Sequence, residues 1–163
     1  MKDLNRKIYK TQVDGADLEL EISDLAGQAN AAVLGRWGDT VILATAVMGK
    51  EDVSLPYFPL TVDYEERFYA AGKIIGSRFV RREGRPSDEA TLSARLIDRT
   101  IRPLFDHKLR REIQVVVTIM AYDEEHDPDL VSLLAVSTAL SISDIPWNGP
   151  VAGARFEEGG SED

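Results

Sequence analysis

The sequence predicts an α+β domain in which helices pack against a mixed β-sheet. The N-terminal half consists of short alternating or β-branched stretches, which are typical of strands. Two segments with helical signals follow, and a β-branched stretch lies between them. Strands followed by a helix–strand–helix stretch favour a mixed sheet, and 163 residues is the usual length of one domain.

The strands of the N-terminal half are predicted from the alternation of apolar and polar residues. Asp17–Ile22 alternates strictly and indicates a half-buried strand. Gln28–Leu34 and Thr40–Met48 are predicted strands, joined by a hairpin turn over Gly35–Asp39 whose glycines allow positive φ. Phe58–Glu65 is the next predicted strand, with three residues on one face: Leu60, Val62 and Tyr64.

A loop and then a helix are predicted after these strands. Residues 67–86 are typical of a loop, because three glycines lie among basic residues. Ser87 is a favourable N-cap, and the two acidic residues after it suit the positive end of a helix dipole. The helix is expected to continue to about Arg102, where Pro103 prevents its extension.

This first helix is predicted to have two different faces. Its apolar face is expected to pack into the domain and contains Ala90, Ala94, Ile97 and Ile101. The opposite face is cationic, because three arginines lie within about 60° of one another at 100° per residue: Arg95, Arg99 and Arg102.

A buried strand and a buried helix are predicted in the remaining sequence. Ile113–Ala121 is a β-branched run that indicates a central strand. Asp127 is an N-cap followed by Pro128 at the first helical position, and the helix to about Ser143 is apolar nearly all round. Val151–Phe156 is predicted to begin another strand.

Composition excludes several classes of site. The absence of cysteine excludes disulfides, thiolate metal sites and a cysteine nucleophile. Two histidines, His107 and His126, are too few for a multi-histidine metal centre. We expect a cytoplasmic protein without a membrane span or signal peptide, because the N-terminus is polar and no apolar run approaches about 18 residues.

Basic residues are concentrated in one segment of an otherwise acidic chain. The formal net charge is −9, which by itself argues against a nucleic-acid partner. Residues 67–111, however, contain twelve Lys or Arg and five Asp or Glu, a net charge of +7 that leaves −16 on the rest. Such a segment attracts a polyanion to one face. The alternative is a solvated helix whose arginines, Arg95 and Arg99, pair with Asp98 or other acids.

Two long motifs in and before this segment resemble one family. They are residues 58–67 (FPLTVDYEER) leading into 69–74 (YAAGKI), and residues 78–87 (RFVRREGRPS) followed by 94–105 (ARLIDRTIRPLF). Shorter similar elements lie at 28–33, 38–41 and 145–151. Over most of residues 5–156 the chain resembles the first RNase PH-type core domain of the polyribonucleotide nucleotidyltransferase (polynucleotide phosphorylase) family.

The resemblance implies a fold, an activity and an assembly. The fold is RNase PH-type, also described as ribosomal protein S5 domain 2-like. The activity is 3′→5′ phosphorolysis of single-stranded RNA in mRNA turnover, with inorganic phosphate as co-substrate, nucleoside diphosphates as products and Mg²⁺ or Mn²⁺ as cofactor. Family members are much longer chains that form homotrimers, and degradosome-type helicases or endonucleases are further partners that the resemblance implies.

The resemblance also implies which part of such an enzyme this chain represents. We expect residues 1–156 to be the first RNase PH-type domain, incomplete at its C-terminal end, and residues 157–163 to be an acidic tail without fixed structure. This domain is expected to guide RNA and to support trimer assembly. The metal ligands are expected to lie outside the chain.

Six RNA-binding residues follow from the same resemblance: Phe79, Arg81, Arg82, Arg85, Arg95 and Arg99. The family's loop usually reads Phe-Phe-Arg-Arg, whereas here Val80 stands in place of the second aromatic residue. Loss of a ring that stacks on a base removes on the order of 1–3 kcal/mol, so weaker RNA binding is expected. Guanidinium groups bind phosphate oxygens through paired hydrogen bonds, which suits an RNA track.

No catalytic residue is predicted in this chain. In the family's catalytic domain a serine-rich loop before the buried helix binds phosphate with hydroxyls and backbone N–H groups. Here the corresponding residues 124–129 are Glu-Glu-His-Asp-Pro-Asp, whose four carboxylates repel phosphate. We interpret this as a solvated acidic loop that ends in an N-cap, rather than a metal site.

Two other functions compete with that of an RNA-guiding part of a phosphorolytic enzyme. One is a stand-alone, catalytically inactive RNA-binding or scaffold module like the ring subunits of exosome-type assemblies. The other is a small single-domain RNase PH, which the acidic loop before the second helix disfavours.

Overall fold

The computed structural model describes residues 4–73 and 85–155. These residues contain a six-stranded sheet and two α-helices. The strands are β1 (Lys7–Val13), β2 (Ala16–Ile22), β3 (Ala31–Trp37), β4 (Thr40–Asp52), β5 (Leu60–Glu65) and β6 (Arg111–Ala121). The helices are α1 (Asp88–Ile101) and α2 (Pro128–Ile142), with short 3-10 segments at Asp24–Ala26, Phe68–Ala71 and Arg102–Leu104.

The sheet is mixed, as predicted. Its strand order is β1-β2-β3-β4-β6-β5, and every neighbouring pair is antiparallel except β5 and β6, which are parallel. Helix α1 is the crossover between the two parallel strands and packs on β5, while α2 packs on β3 and β4. Buried residues of the strands and of both helices form one core cluster, so both helices cover the same face of the sheet.

The local signals at both helix starts are confirmed. The Ser87 hydroxyl accepts a hydrogen bond from the Ala90 N–H at 2.9 Å, and the Asp127 carboxylate accepts one from the Asp129 N–H at 2.9 Å. The predicted central strand is also confirmed, because β6 lies between β4 and β5. Within the described residues no helix is long and apolar enough to cross a membrane.

Strand β1 is an element that the sequence did not reveal. All seven of its residues are exposed. It pairs along one edge with β2, and the paired residues run from Lys7 opposite Ile22 to Val13 opposite Ala16. An edge strand with two solvated faces has no alternating apolar pattern, because neither face contributes to the core.

The hairpin between β3 and β4 is tighter than predicted. Trp37 pairs with Thr40, so the turn contains only Gly38 and Asp39, and Gly35 lies inside β3 opposite Ile42. Gly35 is required there for packing: a Cβ atom would lie 2.9 Å from Cγ1 of Val131 on α2. Gly38 is the glycine that serves the turn, with a φ of +57°.

Replacing Gly35 with alanine is expected to destabilise the protein by about 1–3 kcal/mol, because the added methyl group overpacks the contact between β3 and α2. The free energy of unfolding from urea denaturation measures the effect. Gly27→Ala is the matched control: its φ is −64° and a Cβ there meets no atom closer than 4.0 Å. Equal stability of the two variants would contradict this account of Gly35.

The predicted strand at Val151–Phe156 is wrong for the residues described there, 151–155, which are irregular. This segment lies against α2 instead of joining the sheet. The Val151 N–H donates to the Ser137 hydroxyl at 2.9 Å, and a Cβ at Gly153 would lie 2.8 Å from Leu133. Side-chain contacts with a helix therefore take the place of strand pairing, and the predicted acidic tail lies outside the described residues.

Candidate nucleic-acid interface

Helix α1 is held against the sheet along its buried face. Ala90, Ile97 and Ile101 are at most 1% exposed and belong to the core, as the spacing predicted. At the N-terminal end of the helix the Ser87 hydroxyl also donates to the Glu66 carboxylate, which follows β5, at 2.8 Å. The cap residue therefore joins the helix to the adjacent strand.

A polar cluster between β5, α1 and α2 holds the middle of α1. The Ser93 hydroxyl donates to Oδ2 of Asp129 at 3.0 Å, and the buried phenol of Tyr64 interacts with the same carboxylate. Burial, reinforced by the negative charge of Asp129 and the bond to it, raises the pKa of Tyr64 far above its ordinary value. Tyr64 therefore remains a neutral hydrogen-bonding group in this cluster.

The Arg102 side chain does not contribute to the predicted cationic face, because it is bonded within the fold. Its Nε atom lies 3.0 and 3.1 Å from the two carboxylate oxygens of Asp98, and its Nη2 atom lies 2.6 Å from Asp98 Oδ1. The same guanidinium donates to the carbonyl of Leu60 at 3.1 Å and to that of Phe58 at 3.5 Å. Arg102 thus joins the end of α1 to the start of β5, and the Asp–Arg spacing of four residues was the sequence signal for this pair.

Arg95 and Arg99 are exposed on the face of α1 that points away from the core. Within the described residues neither forms an ion pair, and Asp98, the acid that was their alternative partner, is bonded to Arg102. One helical turn separates the two arginines, about 6 Å along the axis. Two exposed leucines share this face with them, Leu92 at 65% and Leu96 at 48%, so the face is not purely cationic.

The remaining predicted RNA-binding residues lie close to the start of α1 in sequence. Arg85 is exposed, two residues before the N-cap. Phe79, Arg81 and Arg82 lie outside the described residues. The structure therefore brings together Arg95 and Arg99 on one helix face.

The acidic loop before α2 is built around Asp123 and is not simply solvated. Oδ1 of Asp123 accepts hydrogen bonds from the N–H groups of Glu125 and His126 at 3.1 and 2.8 Å and lies 3.0 Å from the Thr40 hydroxyl. Oδ2 accepts from the Asp39 N–H at 2.9 Å and lies 2.6 Å from Nδ1 of His126. Asp123 thus fastens this loop to the turn between β3 and β4.

Two of the four carboxylates predicted to repel phosphate are engaged within the fold. Asp127 caps α2 and forms an ion pair with Arg155, while Asp129 bonds to Ser93. Glu124 and Glu125 remain exposed. In residues 4–73 and 85–155 no three His, Asp or Glu side chains are grouped to hold a metal ion, so these residues do not fit the cofactor that the resemblance implies.

Comparison with known proteins identifies the family. The model of the 3′ exoribonuclease family, domain 1 (RNase PH), matches residues 15–146. The chain belongs to this family. It is 51% identical over 148 residues to a polyribonucleotide nucleotidyltransferase of Enterococcus faecalis and 52% identical over 150 residues to one of Staphylococcus epidermidis. These alignments cover 91% and 92% of the chain but 21% of each relative, so the chain spans about a fifth of their length.

A solved structure supports the same fold. The chain resembles the crystal structure of rice (Oryza sativa) Rrp46 with a TM-score of 0.57 and 13% sequence identity, over 89% of this chain and 57% of that one. The RNase PH-type fold is thereby confirmed.

Proposed function

We propose that this chain is the RNA-guiding part of a phosphorolytic 3′→5′ exoribonuclease that degrades single-stranded RNA to nucleoside diphosphates. The observation that supports the guiding role most directly is the pair Arg95 and Arg99, which are exposed one turn apart and free of ion pairs within the described residues. The names of the relatives support the class of enzyme.

The chemistry is proposed to occur outside this chain. By the resemblance, Glu124 and Glu125 correspond to the loop that binds phosphate in the family's catalytic domain. Both residues are exposed, and their carboxylates disfavour a phosphate ion there. Inorganic phosphate is therefore assigned to other parts of a longer enzyme. Mg²⁺ or Mn²⁺ is assigned there as well, because the described residues group no three His, Asp or Glu side chains that could hold it. The proposal also includes a homotrimer supported by this domain, helicase or endonuclease partners, and a cytoplasmic location.

Arg95→Gln/Arg99→Gln is expected to weaken binding of fluorescent poly(A) by the 163-residue chain at least tenfold at about 50 mM salt. The plot of log affinity against log salt has a negative slope of about 0.7 per phosphate contact for a single strand. Loss of two contacts is therefore expected to make this slope shallower by about 1.4. Fluorescence anisotropy over a salt series measures both quantities.

The matched control is Lys7→Gln/Lys50→Gln, which removes the same charge from two exposed lysines outside residues 67–111. It is expected to change affinity less than about twofold. Equal losses in both double variants, or no binding by the unaltered chain at low salt, would contradict the guiding role. Release of diphosphates by this chain with phosphate and Mg²⁺ would contradict the assignment of the chemistry to other parts of the enzyme.

A further inference from the structure

Asp98 has two possible arginine partners about one helical turn away: Arg95 on α1 and Arg102, the residue that follows α1. Residues three or four positions apart are neighbours on a helix surface, so Asp98 is adjacent to both Arg95 and Arg102. The other acids of α1, Asp88 and Glu89, are at least six residues from Arg95. Asp98 is therefore the one carboxylate of α1 that is spaced to neutralise Arg95.

Contacts outside the helix decide this competition in favour of Arg102. Its guanidinium approaches both Asp98 oxygens and at the same time donates to the carbonyls of Leu60 and Phe58, and it lies 5.9 Å from the centre of the Phe58 ring. The Arg102 side chain is 34% exposed and that of Asp98 is 25% exposed. Arg95, which is exposed, has no such contacts to the sheet within the described residues.

We propose that Arg102 is a positioning residue for RNA binding: anchored to the start of β5, it binds Asp98 and so leaves the guanidinium of Arg95 free for a phosphate. This inference rests on the proposed function, because it assumes that Arg95 contacts RNA. Without Arg102, Asp98 pairs with Arg95 and neutralises it. The Asp98 carboxylate then also repels the phosphate that Arg95 would bind.

The test compares poly(A) affinity among variants of the 163-residue chain. Arg102→Gln is expected to weaken binding at least threefold. It is also expected to make the plot of log affinity against log salt shallower by about 0.7, as loss of one phosphate contact does. Asp98→Asn/Arg102→Gln removes the competing carboxylate and is expected to restore affinity to within about twofold of the unaltered chain. Lys50→Gln controls for loss of one distant positive charge.

Two further variants separate positioning from stability. Arg102→Lys keeps a cation beside Asp98 but loses the planar fork, so it is expected to melt at a lower temperature and still bind poly(A) within about twofold. Asp98→Asn is expected to lower the melting temperature as well, without weakening binding. It tests the inference even where Arg102→Gln does not fold, because a role in stability alone predicts weaker binding in every destabilised variant.

Each outcome has a definite meaning. Failure of the double variant to restore binding, an Arg102→Gln effect no larger than that of Lys50→Gln, or weakened binding in Asp98→Asn would overturn the inference. Arg95→Gln tests the proposed function separately. If it leaves affinity and salt slope unchanged, the role of Arg95 in RNA binding is wrong, whatever Arg102 does.

Discussion

Asp123→Ala is expected to reduce the free energy of unfolding by about 3 kcal/mol or more. The carboxylate accepts hydrogen bonds from three backbone N–H groups, of Asp39, Glu125 and His126, and the His126 ring is a further partner. Bonds to a charged group stabilise by about 1.5–3 kcal/mol each, although such effects are not additive. Urea denaturation at pH 7 measures the change.

The matched control for this variant is Glu125→Ala in the same loop. The Glu125 side chain is exposed and its backbone N–H bond to Asp123 is retained, so the change is expected to stay within about 0.5 kcal/mol. A loss of stability as large as that of Asp123→Ala would show that the loop tolerates no change, and would contradict the specific role of the Asp123 carboxylate.

Asp123 also predicts how stability depends on pH. Burial by itself raises the pKa of Asp123, but the hydrogen bonds from His126, Asp39 and Thr40 outweigh it and hold the pKa well below its ordinary value of 3.8. The ionised group therefore stabilises the fold above pH 3.8, and this contribution is lost as the pH falls below that value. The unfolding free energy of Asp123→Asn is expected to fall less steeply between about pH 5 and 3 than that of the unaltered chain.

Ile97→Ala is expected to destabilise the chain by about 3 kcal/mol, within the range of about 2–5 kcal/mol for such core truncations. Ile97 is fully buried between α1 and the sheet, so alanine leaves a cavity in the cluster that joins the layers. Because alanine favours helix as much as any residue, the loss reports packing and not helix propensity. Thermal and urea denaturation give the value.

The neighbouring substitution Leu96→Ala provides the comparison. Leu96 is 48% exposed on the opposite side of α1, next to Arg95 and Arg99, and its truncation is expected to cost less than about 1 kcal/mol. Equal losses for the two variants would show that the outer face of α1 is covered by something else in solution.

Patterns confined to one element were read correctly from the sequence. The caps of α1 and α2, the buried face of α1 and the central position of β6 depend on spacing and residue type within one segment. Such features can be predicted from the sequence because a cap or an amphipathic face is formed by residues within a few positions of one another. The motifs at residues 58–74 and 78–105 also led to the correct family.

Features that depend on distant segments were missed or misassigned. Gly35 lies within β3, where α2 packs too closely to leave room for a side chain. The Arg102 side chain turns away from the cationic face because the Leu60 carbonyl of β5 accepts a hydrogen bond from it. Asp123 is one of several acids in a row, and only the turn between β3 and β4 gives it donors. No spacing within the chain encodes these partners, which lie 42 to 96 residues away.

The sequence by itself therefore determined the family, the helix boundaries near their caps and the presence of arginines on the outer face of α1. The tertiary structure decided which charged side chains form ion pairs or hydrogen bonds within the fold and which remain exposed. Arg102 binds Asp98, Arg155 binds Asp127 at the cap of α2, and Ser93 binds Asp129 in the first turn of α2. Arg95 and Arg99 remain exposed without ion pairs in the described part of the chain. The reason is physical: a charge is neutralised by its nearest fixed partner, and only the fold determines which partner is nearest.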